Sequence, residues 1–209
     1  MAANGKKDRD ERLLTHKAGA WGTSSVDFVV LVRELFAHSK SYADRIDGNC
    51  SPYPLCAIPM LLSAIRCLMI EYESFPPLNV GVLELLTKRG DFAEMLTHYS
   101  IEETLRKDAE ILNELRNEIA HPAHRPAGTL DNWPDYLRGL KEKGLMQSTG
   151  VRDSDYIFFE QMKSHRLFAW ACRVTRHVAE RIIQSNPQKV NAFADFLKTY
   201  NSIGFDNAS

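Results

Sequence analysis

The chain has 209 residues, of which 44% are hydrophobic and 25% charged, enough for one globular domain with a sizeable core. Its formal net charge of −1 excludes the pronounced basic excess of a dedicated DNA-binding domain, although a local basic face remains compatible with it. Cys50, Cys56, Cys67 and Cys172 show no zinc-site spacing, and two of them fall in apolar helical stretches, the pattern of buried thiols in a reducing cytosol.

Residues 1–23 read as a mixed-charge, mobile leader without the apolar core of a signal peptide. The first element follows Ser24, with Asp27 three residues on as a helix-start signal. Phe28, Val32, Leu35, Ser39, Tyr42 and Ile46 recur at helical spacing and predict one buried face. Asp47-Gly48-Asn49 ends it. Residues 55–73 predict a second helix, apolar on nearly all sides and so central, with Pro59 in its first turn. Its apolar stretch, Leu55 to Ile70, contains Pro59, Ser63 and Arg66 and reads as too short and too interrupted to span a membrane. SFPPLN (74–79) is a stop, and a short helix over 80–89 is expected to end at Gly90.

Ser100-Ile101-Glu102-Glu103 has the S-x-x-E pattern of a capping box and predicts the start of a long helix. Ile101, Leu105, Leu112, Leu115 and Ile119 form its apolar stripe, and Pro122 discourages its continuation. Residues 121–158 form a long insert, with a short helix at 134–143 stopped by Gly144 and a small β-hairpin pairing LMQ with YIFF. Trp133 and Tyr136 read as a local anchor there. A last long helix spans 159–185, burying Leu167, Ala171, Val174, Val178 and Ile182, and a helical patch covers Val190 to Tyr200. The expected architecture is an all-α bundle of four to five main helices over 24–185, followed by a C-terminal helix and tail over 186–209.

Chemistry concentrates in ELRNEIAHP (114–122). Asn117 and His121 stand four apart on one helix face, while Arg116 and His121 are separated by about 140° on an ideal helix. The two therefore do not point at one small target from a straight helix, and a second copy of the chain across a symmetric dimer completes a site more readily. The macrodipole at a helix C-terminus favours a cationic ring at His121, which suits acid–base work. Arg116 offers a fork of donors to a phosphate. The plainer reading is an ordinary cationic helix end before a proline.

RNEIAH (116–121) resembles the R-x4-6-H signature of the HEPN superfamily (higher eukaryotes and prokaryotes nucleotide-binding), in which a polar residue, often Asn, follows the Arg. The placement at the end of a long helix in an all-α bundle is similar too. The resemblance implies a homodimeric, metal-independent endoribonuclease of toxin–antitoxin or phage-defence type. Arg116 and His121 would be catalytic in a composite site, with Asn117 orienting or assisting. It implies no cofactor and no metal, RNA as substrate, and an antitoxin or other protein as a possible partner. Other members of the superfamily are not nucleases and serve as dimerisation or nucleotide-binding modules, which is the alternative expectation.

Two further features carry weaker signals. His121 and His124 form H-x2-H, but no third or fourth metal ligand accompanies them. Lys163, Arg166, Trp170, Arg173, His177 and Arg181 share one side of the last helix, where cations could track an RNA backbone and Trp170 could stack on a base. The competing reading is a solvated face with Trp170 packed inside, diluted by Glu160 and Glu180. Arg66 is either a buried partner for an acid or a surface group on a long stem. The sum of these expectations is a cytoplasmic protein with no membrane partner.

Overall fold

The computed structural model describes residues 24–46, 49–87, 92–121, 134–147 and 158–205. Among these the chain is helical and contains no strand: α1 (Ser24–Ile46), α2 (Pro54–Ser74), α3 (Val80–Thr87), α4 (Phe92–Thr97), α5 (Glu103–Ala120), α6 (Asp135–Glu142), α7 (Phe158–Met162), α8 (His165–Gln184), a 3-10 turn (Val190–Phe193) and α9 (Ala194–Asn201). The all-α expectation holds. The expected leader and Gly90 lie outside the described residues, as do His124 and Trp133. The hairpin expected between LMQ and YIFF also has its loop there. Its described flanks are not strands, since 145–147 is irregular and Phe158 opens α7.

α2 is the centre. It packs against α1, α3, α5 and α8 and buries Ile58, Leu61, Ile65, Leu68 and Met69 completely. Each such side chain removed from water contributes roughly 1.5–3 kcal/mol. Pro54 occupies the first turn, so Pro59 stands inside the helix rather than at its start. The proline lacks the N–H of a normal helical bond, and the Ser63 hydroxyl takes up its carbonyl at 2.9 Å. The helix is 21 residues long and apolar enough to match a membrane span by length and composition; the expectation that it is too short took only its most apolar part. In this fold most of that span is covered by neighbouring helices.

α1 buries Val32 and Ser39 of its expected face, and the rest of that face is turned by one position. Its buried residues are Ser25, Val29, Val32, Phe36, Ser39 and Ala43, while Phe28, Leu35 and Tyr42 are only half-buried. Three of the six buried positions are small, which allows close approach to α2. The two serines enter the core with partners: the Ser25 amide donates to Glu71 Oε1 at 3.2 Å and its hydroxyl to Oε2. Ser39 Oγ lies 2.6 Å from Ser51 Oγ and 2.8 Å from His165 Nδ1. A hydrophobicity count along the chain favours the larger side chains and misses this pairing.

α5 begins at Glu103, and no capping box forms. Ser100 has a φ of 51°, whereas an N-cap needs an extended backbone. It closes the turn after α4 instead. Ala109, Leu112 and Leu115 are buried on α5, with Ile101, Leu105 and Ile119 half-covered. α6 ends as expected: Gly144, at φ 68°, donates to Lys141 O at 2.9 Å and Leu145 N to Leu140 O at 3.0 Å, the paired bonds of a Schellman motif.

The expected helix over 159–185 is broken at Lys163–Ser164 into α7 and α8. Ser164 turns extended and caps α8, its hydroxyl accepting from Leu167 N at 3.2 Å. Asn49, on the α1–α2 connection, secures the break. Its carbonyl accepts from His165 N at 2.8 Å, its Oδ1 accepts from Ser164 Oγ at 3.2 Å and Arg166 N at 3.0 Å, and its Nδ2 donates to Gln147 Oε1 at 2.9 Å. One asparagine thus joins three segments of the chain. Leu167, Ala171, Val174, Val178 and Ile182 form the buried stripe of α8, as expected. The described part of the tail packs into the same core: Phe196, Tyr200, Ile203 and Phe205 are buried, and the Tyr200 hydroxyl bonds Thr175 on α8.

Asn49→Ala removes the side-chain half of this junction, so it is expected to destabilise the fold by about 1–3 kcal/mol in denaturant unfolding. Combined with Ser164→Ala it should cost less than the sum of the two, because they share a bond. Acid should act through His165. Burial holds this imidazole below the ordinary value of 6.5, with Asp44 opposing and Lys40 reinforcing the shift. The unfolded chain therefore binds a proton that the native chain resists, and stability is lost as pH falls below 6.5. Denaturant midpoints measured from pH 7.5 to 5 should decline in the wild type and decline less in His165→Asn. Equal slopes would remove His165 from the account.

Candidate functional site

The motif lies where α5 stops. Ala120 is the last helical residue, and His121 leaves the helix with φ −136° and ψ 69° while its N–H still bonds Asn117 O at 2.8 Å. This departure removes the ideal-helix constraint that set His121 at a fixed angle from Arg116. Arg116 and His121 are both exposed and Asn117 is half-buried. Arg116 Nη1 donates to Asn117 Oδ1 at 2.9 Å, so the two side chains form one unit, and the Asn117 amide nitrogen points its donors elsewhere. The three residues named from the sequence are thus at one solvent-facing helix end.

The surroundings include acids. Glu114 and Glu118 belong to the same two turns of α5, and Tyr136 Oη donates to Glu118 Oε1 at 3.4 Å. That bond links α6 to α5. A cleft of about 530 Å³ runs beside the helix, lined by Phe92, Lys107, Glu110, Ile111, Glu114 and Tyr136 among others. With two carboxylates against one ammonium, it repels a phosphate backbone more than it attracts one. A polyanion would therefore approach over the Arg116–His121 end and not along this cleft.

The residues proposed to bind RNA along the last helix do not form a continuous platform. Trp170 is 8% exposed and packs in the core, which corrects its reading as a stacking surface: large apolar area at the centre of a helix is covered by its neighbours before it is offered to a ligand. Lys163 lies in the break between α7 and α8 and pairs with Glu160. Arg181 pairs with Glu102. Arg166 and His177 are exposed and Arg173 is half-buried. Among the described residues, Arg66 Nη2 donates to the Leu86 carbonyl at 3.0 Å near the end of α3 and forms no contact ion pair with an acid.

Thiol chemistry finds no support at the buried cysteines. Burial, and then the neighbouring Glu71 carboxylate, push the Cys67 thiol up to about 11, and burial raises Cys172 as well. A thiol held protonated is a poor nucleophile. Among the described residues, no group of three or more His, Cys, Asp or Glu side chains is arranged to hold a metal ion.

Sequence reading passed over one group of buried polar side chains, Glu73, Tyr99 and Lys189. They come from three distant segments, and no local pattern links them.

Because Arg116 and His121 are exposed and Asn117 is half-buried, alanine at each is expected to change unfolding free energy by no more than about 0.5 kcal/mol. Denaturant titration of the three variants checks this, and a larger loss at any of them would mark it as structural. Compared with protein-family models, with curated proteins and with solved structures, the chain matches none.

Proposed function

We propose that the protein is a HEPN-like, metal-independent endoribonuclease acting as a homodimer, with Arg116, Asn117 and His121 of each chain facing a shared cleft. The observation that carries this reading is the exposed group at the end of α5, where Arg116 is braced by Asn117 and His121 is released from the helix. In the proposed reaction the ribose 2′-oxygen attacks the adjacent phosphorus and the bond from phosphorus to the 5′-oxygen breaks. The products are a 2′,3′-cyclic phosphate and a 5′-hydroxyl. One His121 accepts the 2′-hydroxyl proton and the His121 of the second copy delivers a proton to the leaving oxygen. Arg116 stabilises charge on the non-bridging oxygens.

A second reading, a non-catalytic HEPN-like dimerisation module that binds a nucleotide or a protein such as an antitoxin, is favoured by the charge around the site. Glu110 and Glu114 line the adjoining cleft, and Lys163 and Arg181 of the basic face are held by acids. The two readings separate in one experiment. Purified protein is incubated with mixed RNAs in EDTA beside Arg116→Ala and His121→Ala. Cleavage with cyclic-phosphate ends, reduced about 100-fold or more in each variant, supports the nuclease. No cleavage by a folded wild type, or equal cleavage by the variants, removes it. Sedimentation supplies the second measurement, and a strict monomer would count against a shared site.

A further inference from the structure

A cavity of about 390 Å³ lies away from the α5 terminus, between the C-terminal end of α2, the start of α3, the turn after α4 and the segment following α8. Three polar side chains of its lining are almost wholly enclosed: Glu73 is 5% exposed, Tyr99 3% and Lys189 2%. Their bonding is incomplete. Lys189 Nζ donates to the Tyr72 carbonyl at 2.8 Å and sits 4.7 Å from the centre of the Tyr72 ring, which uses one of three ammonium donors. The Tyr99 hydroxyl is buried and makes no hydrogen bond within 3.5 Å, with the Glu73 carboxylate as the acceptor beside it. Glu73 is close enough to Tyr99 and Lys189 to feel both, although burial dominates and raises its carboxyl. Burial likewise lowers the Lys189 ammonium, with Glu73 opposing. Yet no contact ion pair joins Glu73 to Lys189 among the described salt bridges. A buried donor or acceptor left unsatisfied costs about 1–3 kcal/mol, so a native fold that keeps the Tyr99 hydroxyl and two opposite charges without a contact pair around one cavity has a reason to do so.

The chemistry of the lining selects the ligand. A simple anion would meet Lys189 but also face Glu73. A simple cation would meet Glu73 but face Lys189. A molecule carrying both charges a short distance apart satisfies the two at once and fills the gap between them. Leu78, Val82 and the Tyr72 ring supply an apolar wall beside this polar floor. We propose that this cavity is a binding site for a free α-amino acid with an apolar side chain, its ammonium on Glu73, its carboxylate on Lys189 and the Tyr99 hydroxyl. The proposal stands apart from the ribonuclease reading and shares no residue with it.

The test uses the full chain. Each proteinogenic L-amino acid is screened by thermal shift, and binders are measured by calorimetry. The best binder is then compared with its decarboxylated amine and its deaminated acid. Binding of the amino acid, with both analogues weaker by about tenfold or more, is expected, since each loses one charge-assisted contact. Glu73→Gln and Lys189→Met should each weaken binding by about tenfold, and Tyr99→Phe by about threefold. Tyr99→Phe removes one oxygen from the core and keeps the test decisive together with the analogues if either charge variant does not fold. The proposal is overturned if folded wild type binds no amino acid at about 10 mM. It is equally overturned if either analogue binds as well as the parent, or if the folded variants bind like the wild type.

Discussion

The burial of most of α2 is the constraint that organises this protein. A helix with Ile58, Leu61, Ile65, Leu68 and Met69 fully enclosed requires neighbours around most of its circumference, and α1, α3, α5 and α8 supply them. Apolar area of this extent is the main favourable contribution to folding. The cost is that polar groups on and near α2 are drawn inside with it. Glu71 enters with Ser25 as its partner, whereas Glu73 enters at the edge, beside a cavity.

A second constraint fixes where the outer helices end. The break between α7 and α8 is held by Asn49, which bonds Ser164, His165, Arg166 and Gln147. Without it, the amides at the start of α8 would be buried donors with few partners. On α8, Trp170 packs in the core while Arg166 and His177 stay outside, and Lys163 is held in the break before it. A candidate RNA-binding face is thereby divided by a structural requirement unrelated to RNA. The α5 terminus is different. It lies at the end of a helix whose buried stripe stops at Leu115, so Arg116 and His121 are exposed there.

What was legible in the chain depended on how local its cause is. The stripe of α8, the centrality of α2, the Gly144 stop and the helix end at His121 all follow from residues within a turn or two of one another. At Phe28, Leu35 and Tyr42 the face of α1 was read one residue away from the buried Val29, Phe36 and Ala43, because Ser25 is held inward by its bonds to Glu71 on another helix. The capping box at Ser100 did not form, since the turn leaving α4 claims that residue in a conformation no N-cap uses. Two of the six residues assigned to the basic face lost their expected roles for reasons of the same kind, one by burial and one by displacement into the α7–α8 break.

Periodicity and punctuation in the amino-acid order were sufficient to establish a helical protein, its central helix and the position of Arg116, Asn117 and His121 at a helix terminus, since backbone hydrogen bonding and stripe spacing act over three to four residues. Tertiary structure alone decided the one-position turn of part of the α1 face, the interruption before α8, the burial of Trp170 and the meeting of Glu73, Tyr99 and Lys189. Those outcomes rest on contacts between segments separated by tens of residues or more, whose energies depend on which neighbour covers which face. No local pattern carries that information.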